Sequence, residues 1–196
     1  MAKKISKHIS YAEAVRTSVD MDNNPNDSQL ANMQHLAEKV FEPTREALGG
    51  NPIRVNSFFR SIEVNRAIGG SLRSQHRHGC AIDLDAIKST NAEIFFYILD
   101  NLEFDQLIWE KGDKEQPDWV HVSLVRQGTN RKQALIYRNG KYLTFFEGML
   151  VRPEVKKPSE DKPKAKRGRP KKVAEVKPTA KRGRPKKSKD EKAKKK

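Results

Sequence analysis

Two stretches hold the residue types that chemistry needs. One is Ser74-Gln-His76-Arg-His78-Gly79-Cys80-Ala81-Ile82-Asp83, and the other, further along, is Trp119-Val-His121-Val-Ser123. Two imidazoles and one carboxylate are the donor set of a catalytic zinc, which keeps three protein ligands and leaves its fourth position to water. A lone histidine is more often structural or solvated, and His8 and His35 are read that way. His76 ends a polar loop flanked by glycines, and Asp83 falls just inside a run that alternates like a strand. His121 falls mid-strand, sharing a face with Trp119 and Ser123 while Val120, Val122 and Leu124 point the other way. If that apolar face is core, His121 looks into a cleft, where an imidazole without partner or water costs free energy. A metal that also holds His76 and Asp83 would satisfy it; from spacing alone, the purely structural reading stands beside this one.

The elements that must position these residues follow from periodicity. Ser10 to Val19 has helical spacing, and a longer helix is expected from about Asp27 to Leu48, capped by Asp27 and bent or ended early by Pro43. Ile53 to Ser57 alternates as a short strand, and Ser61 to Ile68 is a capped turn or two of helix closed by Gly69-Gly70. Ala81 to Ala86 is a strand, Asn91 to Leu102 an amphipathic helix, and Phe104 to Glu110 and Trp119 to Val125 are strands. Ala134 to Arg138 and Lys141 to Phe145 flank Asn139-Gly140, a hairpin signal because both turn positions take positive φ. Helices first, then mainly strands with short connections, predict an α+β domain with helices packed on an antiparallel sheet. That domain is expected over residues 1–149, followed by a disordered basic tail over 150–196.

Charge divides the chain at the same place. Of 40 Lys and Arg and 25 Asp and Glu, residues 151–196 carry 21 and 6, which leaves 19 of each in residues 1–150. The whole net charge of +15 therefore belongs to the tail, and the folded part has no bulk electrostatic reason to bind a polyanion. Cys80 is the sole cysteine, so no intrachain disulfide forms, as suits a reducing compartment. The basic start Met-Ala-Lys-Lys lacks the apolar run of a secretory signal, and no run approaches the ~20 residues of a membrane span. Synthesis in the cytoplasm is the expectation.

Ser74-x-His76-x-x-Gly79-x-Ala81-x-Asp83, followed by Trp119-x-His121-x-Ser123, resembles the zinc D-Ala-D-Ala carboxypeptidase family. Its relatives include phage endolysin peptidases, and its fold is shared with the hedgehog signalling domain. The resemblance runs from Ile53 to Ser123 and includes Phe59-Arg60-Ser61, similar to the family's Tyr-Arg-Ser element, and Gly69-Gly70-Ser71. It implies His76, Asp83 and His121 as ligands of Zn2+, with His78 and Asp85 as rivals that do not match the motif. It implies Arg60 as the group that steadies a developing oxyanion and Ser74 as a substrate contact. Two acids compete for general base: Glu110, closing the strand expected beside that of His121, and Asp118, which alternation puts on the opposite face. Glu110 is favoured. Cys80 reads as packing. The implied substrates are bacterial peptidoglycan stem peptides, and a phage-encoded enzyme released to the cell wall is the setting implied by the endolysin relatives.

The tail carries an internal repeat. Lys162-Pro-Lys-Ala-Lys-Arg-Gly-Arg-Pro-Lys-Lys172 returns with one change as Lys177-Pro-Thr-Ala-Lys-Arg-Gly-Arg-Pro-Lys-Lys187. Each Arg-Gly-Arg-Pro core resembles the AT-hook. A backbone bare at Gly168 or Gly183 fits the floor of a narrow minor groove, while Arg167 and Arg169, or Arg182 and Arg184, run along it toward the negative potential of A·T-rich DNA. The outer lysines reach phosphates. Another polyanion, such as an anionic envelope, is the alternative partner. Two readings of the whole chain follow: a zinc peptidase with a DNA-binding tail, or a DNA-binding or packaging-associated protein whose peptidase-like domain is a non-catalytic scaffold. A base acid in the cleft separates them.

Overall fold

The computed structural model describes residues 3–154. The expectations for the tail, including Arg167, Gly168, Arg169, Arg182, Gly183 and Arg184, lie outside the described residues. Helices α1 (Tyr11–Ala14), α2 (Asp27–Leu36) and α3 (Glu42–Ala47) precede strand β1 (Ile53–Ser57) and helix α4 (Ile62–Ala67). A 3-10 turn at Gln75–His78 leads into β2 (Ala81–Ala86), and α5 (Asn91–Asn101) is followed by β3 (Gln106–Glu110) and β4 (Trp119–Ser123). Strands β5 (Gln133–Arg138) and β6 (Lys141–Thr144) come last. The α+β class is as expected.

One sheet carries all six strands, in the order β1-β2-β4-β3-β5-β6. It is mixed, where an antiparallel sheet was expected, because β5 runs parallel to β3. The reason lies in connectivity. One flank of β4 is taken by β2 and the other by β3. The chain reversing after β4 must therefore join at an outer edge; it takes the one beyond β3 and arrives pointing the same way as β3. Asn139 (φ 52°) and Gly140 (φ 76°) then turn β5 into β6 with the pairing that the Asn-Gly signal predicts.

Alternation gives the sheet two unlike faces. Ile82, Leu84, Leu107, Trp109, Val120 and Val122 point to one side and join Ile94, Phe95 and Ile98 of α5 in a single hydrophobic cluster with Met33, Leu36, Val40 and Phe41. Phe95 meets the Trp109 ring edge-on at 5.3 Å, and the indole N–H donates to the Asp113 carbonyl at 3.0 Å. The opposite face carries Asp83, His121, Trp119, Ile108 and Glu110, placed together by register. Asp83 is paired with His121, Ile108 with His121, and Glu110 with Trp119.

Several local expectations need correction. The first helix is one turn, because the Ala14 carbonyl accepts from the Phe59 N–H and the Val15 carbonyl from Asn23 Nδ2. Asn26, one residue before Asp27, caps α2 in a reciprocal box with Gln29. Ahead of Pro43 the regular α-helix ends at Leu36 as expected, but the helix resumes at Glu42. A π turn at Ala37–Phe41 widens it, so that the Glu42 N–H reaches the Ala37 carbonyl and the Thr44 hydroxyl donates to the Val40 carbonyl. Beyond Met149 the chain is still engaged: Leu150 is buried, and Arg152 pairs with Asp100 and Glu147.

Candidate metal centre

His121 and Asp83 are brought together by strand pairing and His76 by a turn. His121 Nδ1 lies 2.8 Å from Asp83 Oδ1, His76 Nε2 lies 3.4 Å from the same oxygen, and the two ring nitrogens are 3.3 Å apart. Donors about 2.0–2.2 Å from one tetrahedral zinc stand roughly 3.3–3.5 Å from each other. Two of the three separations already have that value, and the third would open by a few tenths of an ångström. The donor set fits the metal.

The turn that presents His76 is fastened on three sides. Its Nδ1 donates to the Phe58 carbonyl at 2.7 Å, which leaves the Nε2 lone pair for the centre and fixes the tautomer. The Arg60 N–H donates back to the His76 carbonyl at 3.2 Å. From α2, Gln29 Nε2 bonds the Arg77 carbonyl at 3.0 Å and Asn32 Nδ2 the His78 carbonyl at 2.9 Å. Gly79 (φ 69°) lets the chain leave the turn against α2, where a Cβ would stand 2.5 Å from the Gln29 carbonyl oxygen. Asn23 holds the facing segment by donating to the Phe59 carbonyl and accepting from the Ser61 N–H.

The electrostatics suit a cation. Burial pushes the Asp83 carboxyl up, but the neighbouring imidazoles of His76 and His121 outweigh burial and hold it well below the usual carboxylate range. Burial lowers the pKa of His76, so its ring is poised neutral and able to ligate. The second oxygen, Asp83 Oδ2, accepts from Arg60 Nη2 at 2.7 Å, while Arg60 Nε donates to the Ser57 hydroxyl at 2.7 Å. Arg60 thus orients the carboxylate that faces the two histidines.

A cavity of about 770 Å³ opens over the three side chains, and Arg60, Ser74 and Glu110 line it. Glu110 is 8% exposed, and burial raises its pKa. Asp118 is not brought in: it is exposed, and it meets Glu110 only through its backbone N–H on the Glu110 carbonyl at 2.9 Å. The rival ligands are elsewhere too. His78 is exposed, and Asp85 is engaged by Arg54 and Asn91. Cys80 is buried, and burial raises its thiol pKa, so it packs without thiolate character. His8 pairs with Glu42 at 2.6 Å. Tyr142 and Arg131 are among the lining residues that the sequence did not point to. The hairpin signal places Tyr142 opposite Tyr137, but only the parallel docking of β5 on β3 carries that hairpin to the cavity.

Residues 7–123 match the model of the family described as Peptidase M15. A zinc D-Ala-D-Ala carboxypeptidase of Streptomyces albus G is 34% identical over 80 residues, which cover 40% of this chain and 31% of that protein. The chain thus spans about a third of that relative's length. Residues 164–175 and 181–191 each match the AT hook motif.

Proposed function

The chain belongs to the peptidase M15 family, and from that premise we propose that it is a zinc-dependent peptidase of peptidoglycan stem peptides whose tail binds A·T-rich DNA. The observation that carries the reading is the His76–Asp83–His121 triangle at the floor of a cavity that also holds a buried glutamate. His76, Asp83 and His121 would hold a zinc ion, which would supply Lewis-acid polarisation of the scissile carbonyl and activation of water near neutral pH.

The remaining work falls to the chain. Glu110, kept basic enough to hold a proton by its buried setting, takes the proton from the attacking water and returns it to the leaving amine. Arg60 keeps Asp83 turned toward the histidines and offers positive charge where the carbonyl oxygen becomes negative. Ser74 sits at the edge of the cavity, within the wall that a peptide would touch. The apolar strand faces behind the site fix the relative positions of Asp83, His121 and Glu110, so little reorganisation accompanies the reaction.

For the tail, the repeated Arg-Gly-Arg-Pro cores support minor-groove contact with phosphate-bound lysines on either side. The scaffold reading is weakened by Glu110, since a site kept only for binding has no need of a buried acid in that cavity. The deciding experiment is digestion of purified peptidoglycan with mass analysis of the fragments, with and without chelator. Chelator-sensitive release of peptide fragments supports the reading, and intact stem peptides after digestion with zinc-loaded protein reject it.

A further inference from the structure

The cavity reaches past the matched family segment. Residues after Ser123 lie outside the match, yet Arg131, Gln133 and Leu135 of the β5 approach and Tyr142 of β6 form one of its walls. At one end of that wall Arg131 is locked in place. Asp105, 3% exposed, accepts from Arg131 Nη2 at 2.6 Å, from its Nε at 3.0 Å and from its backbone N–H at 3.0 Å. Gln75, the neighbour of His76, donates to the same carboxylate at 2.9 Å.

This pairing occupies Nε and Nη2 and leaves Nη1 outside it, on a side chain 55% exposed at the cavity wall. Arg73 lines the same cavity and has no carboxylate partner among the described residues. Asp105 offsets one of the two guanidinium groups, and Asp83 and Glu110 belong to the sheet face near the histidines, so this end of the cavity keeps an excess of one positive charge. Register gives the spacing of its Asp105 anchor along the chain from the level of His121. Asp105 lies three residues before Ile108, the strand partner of His121. At about 3.3 Å per residue the separation is roughly 10 Å.

We propose that Arg131, with Arg73, forms a subsite for a peptide carboxylate about three extended residues from the bond that is cut, which makes the segment after Ser123 the specificity wall of this enzyme. The proposal rests on the peptidase reading. A guanidinium held by a buried acid is pre-oriented, so a carboxylate finds a fixed donor and loses little freedom on binding. A spacing of that order fits an internal carboxylate better than the terminal carboxylate of a residue adjoining the scissile bond.

The test measures binding, by calorimetry, to full-length zinc-loaded protein carrying E110Q to prevent turnover. The ligands are a stem pentapeptide with free carboxylates, the same peptide with its internal carboxylate amidated, and the same peptide with only its C-terminus amidated. The internal amide should bind about tenfold more weakly, the loss of one charge-assisted contact, while the terminal amide binds like the parent. R131K, which leaves one ammonium for Asp105 alone, and R73Q, at an exposed position, should each narrow that difference without lowering zinc content. Equal affinity for all three peptides, or a loss confined to the terminal amide, overturns the subsite while leaving the peptidase reading intact. Failure of every peptide to bind, together with no cleavage of peptidoglycan, overturns both.

Discussion

His121 and Asp83 are direct cross-strand partners on β4 and β2, and their side chains close to 2.8 Å between Nδ1 and Oδ1. Two of the three candidate metal donors are therefore set by sheet register, and only His76 depends on a turn. H121A removes a donor that no neighbouring group on the strand can replace. Metal analysis of dialysed protein should give about one zinc per chain for the wild type and almost none for H121A. Unchanged zinc in the variant would remove the centre from this site.

Glu110 and Asp118 are eight residues apart in sequence and joined through backbone, yet only Glu110 points into the cavity. E110Q should lower turnover of a cleavable stem peptide by about 10²–10⁴-fold while zinc content stays the same. D118N, at an exposed position, should leave turnover close to wild type. Loss of turnover in D118N with E110Q active would transfer the role of base. A wild-type protein that binds zinc but cleaves no peptide would favour the scaffold.

Much of this site was legible in the residues, and what was hidden has physical causes. The pattern around His76, Asp83 and His121 lies on elements whose ends are marked by Gly79 and by strict apolar alternation, so spacing translated directly into position. Glu110 could be read because its strand directly pairs with that of His121. Arg60 was expected to meet a developing oxyanion, and in the fold its guanidinium is engaged with Asp83, a contact that needs the tertiary meeting of β1 and β2. The wall bearing Arg131 and Tyr142 could not be foreseen, because local sequence does not say which edge of a sheet a returning strand will join. Pro43 was expected to bend the long helix or end its regular part early, and the regular part does end at Leu36; that the helix then resumes through a π turn was not legible locally.

Gly79 couples α2 to the His76 turn through conformation and space together. Its φ of 69° disfavours any side chain, and an added Cβ would meet the Gln29 carbonyl oxygen at 2.5 Å. G79A should therefore cost about 1–3 kcal/mol from backbone strain, and more if α2 must move. A lowered melting temperature together with weaker zinc affinity is expected. A melting temperature and zinc affinity equal to wild type would show that the turn is not held as described.

Asp105 provides a pH test. Hydrogen bonds from Arg131 hold its carboxyl down to about 2, against an ordinary value of 3.8. A carboxyl depressed in the folded state favours folding above its unfolded pKa, and that contribution is lost as pH falls from about 4 through about 2. D105N should cost about 1–3 kcal/mol at neutral pH, since it leaves the Arg131 and Gln75 donors poorly matched. Denaturant unfolding of wild type and D105N should converge as pH approaches 2. A stability gap that is constant over that range would show that the Asp105 charge does not carry the effect.

The tail gives the last test, and the folded unit decides where to cut. Leu150 is buried and Arg152 bridges Asp100 and Glu147, so truncation should follow Glu154 and spare those contacts. Full-length protein should bind A·T-rich duplex more tightly than G·C-rich duplex of equal length, because a narrow minor groove concentrates negative potential around the arginines of each core. Its affinity should fall steeply with added salt as lysines give up phosphate contacts. Residues 1–154 should lose both the affinity and the preference while keeping zinc and peptide cleavage, since that part carries almost no net charge. Fluorescence anisotropy with matched duplexes measures this directly. Binding that is equally tight to both duplexes would reduce the repeats to a general polyanion contact, with an anionic envelope as the partner to test next.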